Sequence, residues 1–259
     1  MLDFAQIESQ TLAGEPFAWG IVDKLFSVPD AAVLAASFPH DHFKTVRGYD
    51  GEKGYEYESR SLIHMGAAAV SHAASLSPSW RALADDLLST RYRSVMTKLT
   101  GLDLTRLPVE VNVFHYGSGA WLGPHLDLKD KLVTHVLYFN DTWNESDGGC
   151  LQILRSGNMN DVAAVVAPIV GNSVVLVRSE RSWHAVSRVV AANHPSRRSM
   201  TVTFYSSGSI STMWPPGDAT PLHTYDAEGD TSPRRGLGPR LAGGLARRLL
   251  RRVRRTEPT

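Results

Sequence analysis

From Pro108 onward the chain is a succession of short β-rich runs separated by turns. They are VEVNVFHY (109–116), LVTHVLYFN (132–140), GGCLQILR (148–155), VAAVVAP (162–168), NSVVLVR (172–178), WHAVSRVV (183–190) and SMTVTFYS (199–206). Runs this short and evenly spaced bury their apolar faces only by pairing into a sandwich or barrel. Residues 108–206 are therefore read as one β-domain. Residues 1–107 form a strand and helix support region, its helices packed on one sheet, and 207–259 form a C-terminal extension. The expected class is α+β, mainly β.

The support region has its own signals. Phe17, Trp19 and Ile21 alternate within 14–26, which predicts a short strand. Ser27 and Pro29 open a short helix that Pro39 ends. Residues 44–60 are polar, Gly-punctuated and tyrosine-rich, and read as a loop or irregular hairpin that could act as a lid. A single helix is expected over 77–101. Ser77 caps it, Pro78 opens it, Trp80, Leu83, Leu87, Leu88, Val95 and Leu99 recur at helical spacing, and Gly101 ends it.

Composition is that of a globular protein, 42% hydrophobic and 20% charged, with no apolar run long enough for a transmembrane helix. The N-terminus lacks the pattern of a leader peptide, and the single cysteine, Cys150, fits a reducing cytoplasm. The net charge of +1 hides an asymmetry. From Thr231 the tail carries nine Arg and one Glu, or +8, so the rest carries −7. Leu241, Leu245, Leu249 and Val253 recur among these arginines as on a basic amphipathic helix, weakened by Gly243 and Gly244. The tail is read as a solvated C-terminus or as a contact for an anionic surface; no nucleic-acid partner is expected, and the oligomeric state is open.

The chemistry lies in WLGPHLDLKDK (121–131) and RSWHAV (181–186). His125 and Asp127 are two apart, so on a strand they share a face. Gly123 and Pro124 are expected to shape the start of that strand. His184 opens a later strand. Two imidazoles and one carboxylate suit a facial Fe(II) site with open positions, and equally a catalytic zinc. Arg197, in RRSMTVTFY, could hold a carboxylate bidentately, with Tyr138 as a second donor.

The motifs YGSGAWLGPHLD, THVLYFNDTW, GGCLQIL, RSWHAV and RRSMTVTFY resemble the Fe(II)/2-oxoglutarate dioxygenases of the prolyl 4-hydroxylase type, over roughly 108–206. The resemblance implies a double-stranded β-helix (jelly-roll) core. It implies that His125, Asp127 and His184 hold iron, and that Arg197 and Tyr138 hold the distal carboxylate of 2-oxoglutarate, with Tyr116 lining the pocket. Arg197 fits the family pattern better than Arg198. The cofactors implied are Fe(II), 2-oxoglutarate and O₂, with ascorbate as an optional stimulant. Because Asp127 is present, hydroxylation of an unactivated C–H bond is expected over halogenation.

Asn112 shares strand parity with Tyr116 and is a candidate for substrate contact, as are Trp121 and Trp183. Arg60, Arg155 and Arg178 are further candidates, against a plain reading as solvated residues. His115, His135, His194 and His223 are read as packing or surface residues, Trp143 as core, Gly148 and Gly149 as a tight turn, and Cys150 as buried and inert. The expected substrate is a small molecule: an amino acid, a sugar or cyclitol, or an intermediate of secondary metabolism. A peptidyl-proline substrate is the alternative within the class. A zinc hydrolase and a non-catalytic binding module are the alternatives outside it.

Overall fold

The computed structural model describes residues 1–49, 54–190 and 196–225. The Arg-rich tail and His194 lie outside them. The elements in chain order are α1 (Phe4–Glu8), β1 (Trp19–Val22), α2 (Val28–Ala36), β2 (Lys44–Tyr49), β3 (Gly54–Ile63), α3 (Pro78–Leu88), α4 (Thr90–Thr100), β4 (Val109–Tyr116), β5 (Trp121–His125), β6 (Lys131–Tyr138), β7 (Leu151–Leu154), β8 (Val162–Val166), β9 (Ser173–Val177), β10 (His184–Val186) and β11 (Arg197–Tyr205). No helix among the described residues is long and apolar enough to cross a membrane.

All strands join in one antiparallel sheet of order β1-β9-β6-β11-β4-β3-β5-β10-β7-β8, with β2 on β3. Strand β3 makes the corner. Its later residues pair with β4, whereas Tyr55 and Glu56 pair with β5. The sheet thus folds over itself as a jelly roll, with β6, β11 and β4 on one wall and β5, β10 and β7 on the other. β1, β2 and β3, all from before residue 108, join the same sheet.

Alternation on the central strands separates two cores. Val109, Val111 and Val113 of β4, Val133 and Leu137 of β6, and Met200, Val202 and Phe204 of β11 pack outward with the helices. The residues between them face inward, where Phe114, Tyr116, Val136 and Tyr138 meet Leu151, Ile153 and Val186. Trp80 anchors the helical layer. It is fully buried against Phe38 and Phe139, and its indole N–H donates to the Leu34 carbonyl at 3.1 Å.

One sequence expectation is corrected here and a second is narrowed. The helix expected over 77–101 is two helices. Ser89 is extended (φ −67°, ψ 150°), which ends α3, and its hydroxyl accepts the Tyr92 N–H at 3.1 Å to start α4. The break lets the two amphipathic faces turn separately onto one core. Of the loop and the irregular hairpin expected over 44–60, the structure shows the hairpin, β2–β3, in register from Lys44–Ser59 to Tyr49–Gly54. It is a wall of the sheet rather than a lid, and its tip, 50–53, lies outside the described residues.

His135 ties helix to sheet. It is fully buried, with Nδ1 2.9 Å from the Tyr92 hydroxyl and Nε2 2.8 Å from the Ser173 hydroxyl, which donates to the Val22 carbonyl at 3.0 Å. Burial pushes its pKa down from the ordinary 6.5 to about 3. The unfolded chain takes up this proton below pH 6.5 and the folded chain does not. The contribution of His135 is therefore present above about pH 6.5 and lost as the pH falls toward 3, at up to about 1.4 kcal/mol per pH unit. Urea unfolding at pH 7 and pH 5 should show a steeper loss of stability for the wild type than for His135→Gln.

Candidate active site

Two histidines face each other because of strand register. His184, the first residue of β10, is the direct partner of His125, the last residue of β5. Their ring centroids are 4.2 Å apart. Asp127 follows just beyond the end of β5. The H-x-D pair is thus not two positions of one strand, as its spacing suggested, and Gly123 and Pro124 lie inside β5 rather than before it. Ligand atoms of His125, Asp127 and His184 all lie within 4.8 Å of one another.

Each ligand side chain is oriented by a second contact. His125 Nδ1 lies 3.0 Å from the Gly123 carbonyl, and His184 Nδ1 lies 2.9 Å from the Ser182 carbonyl. A carbonyl can only accept, so each Nδ1 carries the proton and each Nε2 presents a lone pair, the tautomer a metal needs. Asp127 accepts from the Thr134 hydroxyl at 2.9 Å and from Lys131 Nζ at 3.3 Å. Burial raises its pKa, but Lys131, His184, His125 and the Thr134 hydroxyl outweigh burial and hold the carboxyl well below the usual range. Arg178 fixes the Asp127 carbonyl at 3.3 Å and pairs with Glu180, so its role is to position rather than to meet substrate.

The three residues line one cavity of about 130 Å³ between the two walls. That is room for about ten water positions, or a small organic molecule. Tyr57, Asn112, Phe114, Tyr116 and Val136 contribute to the lining, as do Leu151 and Val186 from the opposite wall.

Arg197 enters the cavity from the first position of β11, opposite Tyr116 in register. Its guanidinium lies over the rings of Tyr116, at 4.9 Å, and Tyr138, at 5.4 Å. One Nη donates to the Ser199 hydroxyl at 2.6 Å. Among the described residues its Nε has no hydrogen-bond partner, and the buried Tyr138 hydroxyl beside it donates to no acceptor. Among the described residues no carboxylate pairs with Arg197, although only 2% of it is exposed. A buried cation without an anion beside two unused donors fits a carboxylate that the protein itself does not supply. Burial pushes the Tyr116 hydroxyl up to about 12 and raises that of Tyr138 as well, so both stay protonated donors. Arg198 points the other way, to the Ala35 carbonyl and the Phe38 ring.

Several candidates fall elsewhere. Tyr138 is fully buried and is not among the lining residues, but its ring lies under Arg197 at the same end of the cavity. Arg60 is fully buried away from the cavity, where it donates to the Asp41 carbonyl and carboxylate, Ser61 and Ser75. Trp121 is stacked under Arg188 at 4.0 Å, and Trp183 packs beside Gly157; neither lines the cavity. Trp183 misled because it is the immediate neighbour of His184 and points away from the face that His184 turns to the cavity. Asn112 does line the cavity. Glu110, two residues earlier, lines it too and was passed over, although it has the same strand parity.

Comparison with known proteins agrees with this geometry. The family model described as 2OG-Fe(II) oxygenase superfamily matches residues 111–205. Residues 111–205, from within β4 to the end of β11, thus form a domain of that superfamily, and His125, Asp127, His184 and Arg197 all fall inside it. Its cofactors are accordingly Fe(II) and 2-oxoglutarate, with O₂, and the enzyme is a dioxygenase. The His–Asp–His donor set and the uncompensated Arg197 fit both cofactors. Among solved structures, a Pseudomonas putida prolyl-4-hydroxylase is 21% identical, with a TM-score of 0.50, over 72% of this chain and 91% of that one. A 2OG-Fe(II) oxygenase family oxidoreductase from Burkholderia pseudomallei is 17% identical, with a TM-score of 0.52, over 78% and 90%. A prolyl 4-hydroxylase from Phytophthora capsici is 18% identical, with a TM-score of 0.52, over 80% and 66%. At these identities the likeness is one of fold. No curated protein sequence matches the chain.

The turn at Gly148 and Gly149 supports the oxygenase site from behind. Both have positive φ, 68° and 67°. A Cβ on Gly149 would stand 3.1 Å from Trp143 and Val189 and 3.3 Å from Cδ of Arg197. Gly149→Ala should therefore cost roughly 1–3 kcal/mol and weaken 2-oxoglutarate more than metal. Thermal unfolding with and without 2-oxoglutarate would show the stabilisation by 2-oxoglutarate reduced, while stabilisation by metal alone persists.

Proposed function

We propose that His125, Asp127 and His184 hold Fe(II), that Arg197 with Tyr138 holds the distal carboxylate of 2-oxoglutarate, and that the enzyme hydroxylates an unactivated C–H bond of a small molecule. The observation that carries this reading is the pairing, in one cavity, of a His–Asp–His cluster with a buried guanidinium that has no anion. A zinc hydrolase would have no use for the second feature.

Bound Fe(II) supplies the oxidising chemistry, in which 2-oxoglutarate and O₂ yield succinate, CO₂ and one oxygen atom for the substrate. The protein's own groups do the rest. Lys131 and Thr134 hold Asp127 ionised and fixed in rotamer. The backbone carbonyls of Gly123 and Ser182 set the imidazole tautomers. Arg197 and Tyr138 orient the co-substrate from its far end, a bidentate task suited to a guanidinium. Phe114, Leu122, Val136, Leu151 and Val186 exclude water around the reacting atoms. The modest cavity, walled on one side by Thr212 and Met213, supports a small molecule over a polypeptide.

Anaerobic addition of Fe(II) and then 2-oxoglutarate should produce a visible metal-to-ligand charge-transfer band. Asp127→Ala should lose it. Arg197→Ala should need roughly 10- to 100-fold more 2-oxoglutarate, the worth of a buried charge-assisted pair. A fully metal-loaded protein that gives no band would refute the reading.

A further inference from the structure

The cavity has a second polar pole that the cofactor does not use. Glu110, on β4, is 1% exposed and lines the cavity. Its Oε2 accepts from the Asn112 side-chain amide at 3.1 Å and from the Tyr205 hydroxyl at 3.2 Å. Its Oε1 accepts from the Ser211 hydroxyl. The indole of Trp214 donates to Asn112 Oδ1 at 2.7 Å, and the Trp214 backbone N–H donates to Ser211 at 2.9 Å, so the cluster is rigid.

All three donors to Glu110 are neutral. Among the described residues no Lys, Arg or His pairs with it. The other charges of the cavity are matched: Lys131 meets Asp127, and Arg197 meets the distal carboxylate on the reading above. Glu110 is thus a buried carboxyl held by neutral donors with no cation beside it among the described residues, an arrangement that a cationic ligand would complete. A carboxylate offers about four acceptor directions, and three are taken here. One remains for a donor in the cavity.

Position adds to the argument. Thr203 of β11 is the register partner of Glu110 on one side and of Thr134 on the other, and Thr134 bonds Asp127. Glu110 therefore stands two strand spacings, about 10 Å, from the strand position that supports the metal ligand. Arg197 lies at the other end of β11. A molecule seated on Glu110 would lie beside the metal cluster without displacing the co-substrate from Arg197.

We propose that Glu110, held by Asn112, Tyr205 and Ser211, receives a protonated amine of the substrate, which makes the substrate an amine-bearing small molecule rather than an uncharged sugar or cyclitol. This rests on the proposed function and narrows it.

The test uses the full chain loaded anaerobically with Fe(II) and 2-oxoglutarate. It is titrated with free L-amino acids and 1,4-diaminobutane, with their N-acetyl forms, and with D-glucose and myo-inositol. Binding is read from perturbation of the charge-transfer band and from the shift in thermal unfolding temperature. The expected result is a free amine that binds at least about tenfold tighter than its N-acetyl form, with that preference lost in Glu110→Gln. The band given by 2-oxoglutarate alone reports that the variant is folded and loaded. If Glu110→Gln does not fold, the wild-type comparison of amines with N-acetyl forms and polyols decides by itself. The inference is overturned if polyols or N-acetyl forms bind as well as free amines, if no free amine binds, or if Glu110→Gln keeps the preference. A missing band would instead remove the metal reading, and this inference with it.

Discussion

The interaction on which the site depends is one that the folded chain leaves incomplete. Arg197 is buried at the start of β11 with no carboxylate paired to it among the described residues, and burying an unpaired guanidinium costs several kcal/mol. The fold tolerates it because β11 is pinned on both sides. It pairs with β4 from Arg197–Tyr116 to Phe204–Val109, and with β6 from Ser199–Tyr138 onward. The same pairing brings Tyr116 and Tyr138 against the guanidinium. Ring faces and one serine hydroxyl soften the cost without neutralising the charge. What remains is an electrostatic demand, and the co-substrate of the family carries the group that meets it.

The rest of the architecture serves that demand and the His–Asp–His cluster opposite. Each central strand works on two faces. On β11, Met200, Val202 and Phe204 join the helical core, while Arg197, Ser199, Thr201, Thr203 and Tyr205 line the cavity. The outer face, with Trp80, Tyr92 and His135, makes the wall stiff; the inner face can then afford polar, functional residues. The opposite wall needs less material. Three residues of β10 suffice, because its first residue is registered against the last residue of β5 and the two imidazoles meet there.

Much of this could be read along the chain, and the exceptions have physical causes. The β-domain and the His125, Asp127, His184 and Arg197 set were visible as strand texture and motif spacing. The break at Ser89 was not, because the apolar period runs through it unchanged and only the backbone of one residue departs from the helix. The strands of 44–60 were hard to tell from a loop, because glycines and charges interrupt them and most of β2 faces solvent, so no continuous apolar run is needed. Arg60 looked like a surface residue; its burial rests on Asp41 and Ser75, which lie 19 and 15 residues away. Glu110 had the parity of Asn112 and Tyr116 in plain view. What the sequence lacked was its contact with Ser211, 101 residues on, and that of Trp214 with Asn112, 102 residues on, which bring a segment after the last strand over the cavity.

The two poles of the cavity also explain how ligands of opposite character would be sorted in so small a space. A dicarboxylate entering in reverse would turn one carboxylate toward Glu110, in surroundings where like charges are poorly screened. The same molecule entering forward meets Arg197 and two protonated tyrosines. A cation experiences the reverse preference. Lys131 does not blur this contrast, because its charge is engaged by Asp127 at 3.3 Å. On the two proposals made above, orientation would be decided by the groups at either end of one strand pair, before any contact specific to shape is made. Because β4 and β11 carry both poles and are held by the helical layer behind them, the distance between the poles is set by the fold and not by a mobile loop.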